Sequence, residues 1–374
     1  VKEAGGLALG GLPGKPVLGF LFASPRYELD AALTQARELA GCEVLGCHTA
    51  GEFTEAGAMR GGLVVLLVAS ARLRCRAVAT RGVAASPEAA ARALAAPFAA
   101  LQKQATAAGL GLGTTVLLVD GLAGSAEALV QGLLRSTRLF QQVVGAAAGD
   151  GGQFKAAPAG GPGAEGVDVA AAAHVFDRQP WGVGVDHGFA PTGATLTVSE
   201  ASGRALQALD GRPAFEAYRA AAEAAGAPLP KEGAGSHLIT HPLGVHFLGE
   251  VHRLRAAMAA GASGELRLLQ PLAVGEQVSL MQASADDLAA AAGRAAAEAR
   301  DRLEGSAAAG VLVFDCLSRG MILGRDFQRE IDAVRAVFPQ APLAGFLGYG
   351  QLARYRSPRA GWHTGAVVVT AIPG

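Results

Sequence analysis

Apolar positions fall into short runs separated by glycine-marked polar turns, and the same order of runs recurs three times along the chain. The first copy reads "VLGFLFAS" (17–24), "ELDAALTQARELA", "EVLGCHTAGEF" and "GGLVVLLVAS". The second reads "TTVLLVDG" (114–121), "SAEALVQGLLRSTRLF", "QQVVGAAAGDGGQF" and "VDVAAAAHVF". The third reads "GVLVFDCLSRG" (310–320), "RDFQREIDAVRAVF", "APLAGFLGYGQL" and "TGAVVVTAI". Each predicts strand, helix, short strand, a loop of glycine and polar residues, and strand. The helices rest on apolar residues at i, i+3 and i+4 spacing, as at Ile331, Val334 and Phe338. The strands rest on Val/Ile enrichment between glycines. Val17 is as far from Gly46 as Val116 is from Gly145, and the longer third copy is expected to hold its excess in a loop, "LSRGMILGR".

Alanine-rich helices precede copies two and three. One is expected to start at Ser86 with Pro87 in its first turn, the other at Ser284 with Asp287 closing an approximate capping box. Between these copies, 186–284 has a different pattern. Thr195, Thr197 and Ser199 alternate with Leu196 and Val198 as in a half-buried strand, and "LDGRPAF" turns into a helix. The segment "AAPAGGPGAEG" (156–166) is expected as an exposed hairpin loop. The predicted architecture is α/β, with two domains of mixed β-sheet flanked by helices, 15–200 and 201–374.

Composition narrows the partners. A chain of 374 residues with 51% apolar residues buries a large core. Lys plus Arg equals Asp plus Glu, 32 each, so no net field draws nucleic acid or an anionic membrane. No apolar stretch predicts a spanning helix, and the N-terminus lacks the pattern of a signal peptide. Cys42, Cys47, Cys75 and Cys316 form no CxxC pair, which points to a reducing cytoplasm. No P-loop, HExxH or GxSxG is present, and no dinucleotide fingerprint has the right context.

The ordered set "GCHTAGEF", "VVGAAAGDGGQF" and "DHGFAPTG…LTV…LDGRPAFEAY" resembles the FIST N domain. The set "HPLGV", "SLMQASADDL", "VLVFDCLSRG" and "PLAGFLGYGQL" resembles the FIST C domain. The resemblance covers nearly the whole chain. One departure is Gly350-Gln351, where the family usually carries Gly-Glu. The resemblance implies a sensory module, not an enzyme, that binds a small ligand and signals to a separate partner such as a histidine kinase. Amino-acid-like compounds are the ligand class it implies, with a haem-binding nitric-oxide sensor as the alternative.

Candidate site residues follow from the loops. Thr49, Gly51 and Glu52, with the counterparts Gly345, Tyr349, Gly350 and Gln351, read either as a ligand loop or as ordinary turns. In the first reading glycine admits a ligand to the backbone, and Glu52 or Gln351 accepts from an ammonium or amide. Polar residues are expected after the glycine in every copy. Cys316 and Arg319 end a strand, where ligands of open α/β sheets collect, and Arg319 would clamp a carboxylate. A nucleophilic Cys316 needs a base that sequence does not supply. His237, His241, His246 and His252 are expected on surface loops, with Pro242 breaking the helical geometry of an HxxxH pair. His174 and His187 stay open as haem ligands.

Overall fold

The computed structural model describes residues 1–137, 141–230, 234–247, 252–355 and 361–374. The end of the second predicted helix, 138–140, and part of the histidine-rich stretch, 248–251, lie outside the described residues.

Each predicted copy folds as one unit. Its opening strand is Pro16–Ala23, Leu112–Val119 or Ala308–Cys316. Its helix is Leu29–Ala40, Ala126–Ser136 or Gln328–Val337. Its inner strand, parallel to the opening one, is Glu43–His48, Gln141–Ala147 or Leu343–Gly348. Its closing strand, antiparallel to the opening one, is Leu63–Ala69, Val169–Asp177 or Val367–Pro373. Both predicted caps form. The Ser86 side chain accepts from the Ala89 amide, and Ser284 and Asp287 make a reciprocal capping box.

Between inner and closing strands each unit sends out a hairpin, and no hairpin stays in its own sheet. The first unit's hairpin, Glu52–Thr54 and Gly57–Met59, pairs with the third unit's inner strand (Phe346 opposite Glu52). The third unit's hairpin, Gly350–Arg354 and Gly361–His363, pairs with the second unit's inner strand (Ala146 opposite Gln351). The second unit's hairpin, Ala159–Gly161 and Ala164–Gly166, pairs with the first unit's inner strand (Cys47 opposite Ala159). Three sheets are thus closed into a ring by exchange, and the division into an N-terminal and a C-terminal part is not a division between sheets. Phe22, Phe314 and Phe346 pack at the centre, with ring centroids 4.6 to 6.4 Å apart.

The remaining segment, between units two and three, forms its own sheet. Ala190–Ser202 pairs on one side with Gln277–Gln282 and on the other with Ala205–Leu209, and the helix Ala214–Ala224 covers it. Val198, Leu206, Tyr218 and Leu280 belong to a separate core there.

Three expectations need correction. The strand glycines Gly46, Gly145 and Gly345 lie beside Leu21, Leu117 and Val313, so Val17 and Val116 are not equivalent positions and the units lengthen from first to third. A Cβ on any of these glycines would overlap the neighbouring strand's carbonyl oxygen. The excess of the third unit is not a loop but a helix, Leu317–Leu323, followed by a 3-10 turn, Gly324–Phe327. The segment 156–166 is a hairpin, but a largely buried one. A Cβ on Gly160 would press on the Leu33 and Glu165 side chains, and Gly161 sits against Leu45, Ala79 and Ala171. A polar residue does follow the glycine in every copy, as Glu52, Asp150 and Gln351, but the three are not structurally equivalent. By ladder register Glu52 corresponds to Gln351 in the third unit and to Ala159 in the second.

Candidate functional site

The loop 49–52 leaves the inner strand of unit one and continues directly into the sheet of unit three. The Ala50 amide donates to the Leu347 carbonyl at 2.7 Å, and the Leu347 amide donates to the Gly51 carbonyl at 2.8 Å. The Thr49 amide is taken by the Ala23 carbonyl at 3.1 Å. The loop therefore offers side chains, rather than the amides of Thr49 and Ala50, to a ligand.

Those side chains form the floor of a cleft of about 420 Å³. Ser24, Thr49, Gly51, Glu52, Met59, Arg60 and Gly61 come from unit one, and Leu317, Gly320, Met321, Phe327 and Leu347 from unit three. The cleft sits at the carboxyl ends of Pro16–Ala23, Glu43–His48 and Ala308–Cys316, where ligands of α/β sheets gather. A more open depression of about 630 Å³ lies at the opposite end of the third unit's sheet, along Leu303–Ala308 and Val337–Ala341. It lacks an inward carboxylate of this kind, so the smaller cleft is the better candidate.

Glu52 is 1% exposed. Its Oε1 accepts from the Thr49 hydroxyl, and its Oε2 from the Gly62 amide at 3.0 Å. Burial pushes the carboxyl above the usual carboxylate range, against these two hydrogen bonds, which pull it down. A positively charged ligand group in the cleft would relieve that cost. Arg60 stands exposed at the rim, and no ion pair of its side chain is found among the described residues. Met59 and Met321 expose more than a third of their surface beside it.

The other predicted residues lie behind this cleft, not in it. Gly345 is within a strand, covered by the Phe53 ring. Arg319 is fully buried and already holds two carboxylates of its own chain, Asp315 at 3.0 Å and Glu330. It also donates to the carbonyls of His187 at 2.6 Å and Leu288 at 2.9 Å. It clamps carboxylates, as its residue type predicts, but they belong to the protein. Burial, then the Glu330 charge, push the Asp315 carboxyl well above its usual range, against the pull of Arg319. The Cys316 thiol accepts from the Ser318 hydroxyl at 3.2 Å, and that hydroxyl is its hydrogen-bond partner among the described residues. Gln351 donates to the Asp315 carbonyl at 2.9 Å. Tyr349 stacks on Phe154 and donates to Asp150 of the second unit. Gly350 packs under the Trp362 indole.

Of the four clustered histidines, His241 and His246 are half-buried. His237 and His252 are buried, and Pro242 does not separate the HxxxH pair. The rings of His237 and His241 stack 4.1 Å apart at the end of the helix Ala234–Thr240. His174 uses both ring nitrogens, on Thr115 and on the Leu94 carbonyl, each at 2.8 Å. His187 Nδ1 accepts the Phe189 amide. Among the described residues no group of three or more His, Cys, Asp or Glu is placed to hold a metal ion. None of the described helices is long and apolar enough to cross a membrane.

The cleft residues Gly320 and Met321 escaped sequence reasoning because a loop was expected where they form a helix. No curated protein matches the chain. Family comparison is decisive: the FIST N domain matches residues 17–212 and the FIST C domain residues 214–354. The two matches span nearly all of the exchanged three-unit fold, and the chain belongs to the FIST family, whose domains are sensory modules of signal transduction.

Proposed function

We propose that this chain senses a small, amino-acid-like zwitterion in the cleft between units one and three and reports its presence to a separate signalling protein such as a histidine kinase. The observation that carries the reading is Glu52, a buried carboxylate on a hairpin that bridges the sheets of the two halves. A ligand ammonium would take Glu52 and the Thr49 hydroxyl, and its carboxylate would meet Arg60 at the rim. Its side chain would cover Met59, Met321 and Phe327.

Occupancy has a route outward. The short helix Leu317–Leu323 faces the cleft with Leu317, Gly320 and Met321, and it carries Arg319 into the buried cluster with Asp315 and Glu330. A ligand that favours one placement of this helix tenfold shifts the population by about 1.4 kcal/mol. Binding rather than turnover fits Cys316, whose thiol faces a serine hydroxyl instead of a base. The four cysteines are free thiols, which fits a reducing cytoplasm. A haem-based reading has less support, since His174 has both nitrogens engaged and the His237 ring is stacked on His241.

The test is a thermal-shift screen of amino acids and related zwitterions against wild type and Glu52→Gln. A ligand that raises the wild-type Tm and leaves the variant unmoved is expected. Equal stabilisation of both would remove Glu52 from the site and the proposal with it.

A further inference from the structure

Four methionines occur in the chain, and two of them, Met59 and Met321, line the cleft between units one and three. Each is more than a third exposed, whereas Met281 is fully buried. Single exposed apolar residues are ordinary, but two that converge on one concave site ask what covers them. They come from different units. Met59 ends the hairpin strand Gly57–Met59, and Met321 lies on the helix Leu317–Leu323. Phe53 and Phe327 line the same cleft as an edge-to-face pair, ring centroids 5.3 Å apart, so the Phe327 ring is held in place.

Glycine shapes the rest of the lining. Gly151, Gly320 and Gly324 present bare backbone to the cleft. A Cβ at Gly151 or Gly324 would meet no atom within 4 Å, so the space beside both is open. At Gly320 it would come within 2.6 Å of the Leu347 side chain, so the helix lies directly on that residue. Bare backbone and two unbranched, pliable thioethers suit a flat ring better than a branched alkyl group. Sulfur also attracts the edge of an aromatic ring, an interaction that an aliphatic side chain does not offer. Size agrees. At about 30 Å³ per water, the cleft of about 420 Å³ holds roughly fourteen waters. The ammonium, carboxylate and α-carbon of a zwitterion displace only a part of them, and a ring displaces much of the remainder.

We propose that the ligand of this cleft is an aromatic amino acid, its ring held between Met59 and Met321 against Phe327 while Glu52 takes its ammonium. The proposal rests on the zwitterion reading of the cleft and adds the class of side chain. A ring in that place touches the hairpin of unit one and the helix of unit three together.

The test is calorimetric titration of the whole chain with L-phenylalanine, L-tryptophan, L-leucine and L-alanine. One of the two aromatic ligands is expected to bind one-to-one and about tenfold tighter than leucine, the worth of two sulfur–aromatic contacts, with alanine weaker still. Met59→Leu and Met321→Leu keep the apolar surface and remove the sulfur. Each should cut the preference for the ring over leucine about threefold, and the double variant should bring the two ligands level. Both side chains are partly solvated, so neither exchange disturbs a packed core. Leucine bound as tightly as the aromatic ligands, or a preference that survives in the double variant, overturns the aromatic assignment and leaves the zwitterion reading standing. So does binding of none of the four where the thermal-shift screen finds another zwitterion that depends on Glu52. A screen in which no zwitterion depends on Glu52 removes both.

Discussion

Tyr349 and Asp150 hold each other across the junction of units three and two. The phenol donates to Asp150 Oδ1 and accepts the amides of Asp150 at 3.2 Å and Gly152 at 3.1 Å. Burial alone would raise the Asp150 carboxyl. The phenol and the amides of Ala156, Lys155 and Phe154 outweigh it and hold the group below its usual range. A depressed carboxyl contributes stability above its unfolded value that is lost as pH falls through the folded one. Tyr349→Phe should therefore cost about 1–3 kcal/mol at pH 7, with the difference shrinking towards pH 3. Urea melts at the two pH values measure both.

Glu52 has the opposite sign. Its folded value is raised, so its contribution is present below the unfolded value, about 4.3, and is lost as pH rises through the folded one. In Glu52→Gln the amide oxygen keeps the Gly62 amide, and the Thr49 hydroxyl turns to the Ala23 carbonyl, 3.5 Å away. The ligand-free variant should melt above wild type at pH 8 and converge with it near pH 4.

His174 supplies a third pH window. Burial lowers it from 6.5 to about 4 in the folded chain, with the Leu94 carbonyl opposing. A lowered group contributes stability above 6.5 that is lost as pH falls towards 4, roughly 3 kcal/mol in all. His174→Gln should flatten the stability curve between pH 6.5 and 4, as read by chemical denaturation across that range.

Gln351 stands where the resemblance led one to expect a carboxylate, and its surroundings suit the amide. It is fully buried, and its NH₂ meets the carbonyl of Asp315 beside the Asp315–Arg319–Glu330 cluster. Gln351→Glu would add an acid with no donor to replace that bond, and burial would raise its folded value. The variant should match wild type most closely below pH 5 and lose Tm as pH rises to 8.

Arg319→Leu would leave Asp315 and Glu330 buried without their cation. A loss of about 3–5 kcal/mol is expected in denaturant unfolding. A smaller loss in the Arg319→Leu, Glu330→Leu double variant would show that the single change reports stranded charge, not a large net worth of the cluster.

Much of each unit was legible in local pattern. Val/Ile runs, the Ile331–Val334 helix face and the caps at Ser86 and Ser284 all report on neighbours within a few residues. The loop at Thr49–Glu52 was visible for the same reason. The partner of each hairpin was not visible, because which sheet edge a strand joins depends on residues far along the chain that no period records. Small residues misled in two places. Gly160 and Gly161 look like part of an exposed hairpin loop but lie where side chains of two sheets close on them. "LSRGMIL" looks like a loop, yet it forms the helix that walls the cleft and buries Arg319. Arg319 has the chemistry of a ligand clamp, and only the return of the next helix with Glu330 shows that its partner is internal.

The ring of exchanged hairpins also sets the order in which the protein can be made. The strand Glu52–Thr54 is made long before its ladder partner Leu343–Gly348. The inner strand Gln141–Ala147 likewise waits for Gly350–Arg354. The earlier part of the nascent chain therefore carries open strand edges until those later strands emerge, with contacts of high sequence separation forming last. A fragment that stops before these strands meets the same exposed edges with nothing to close them.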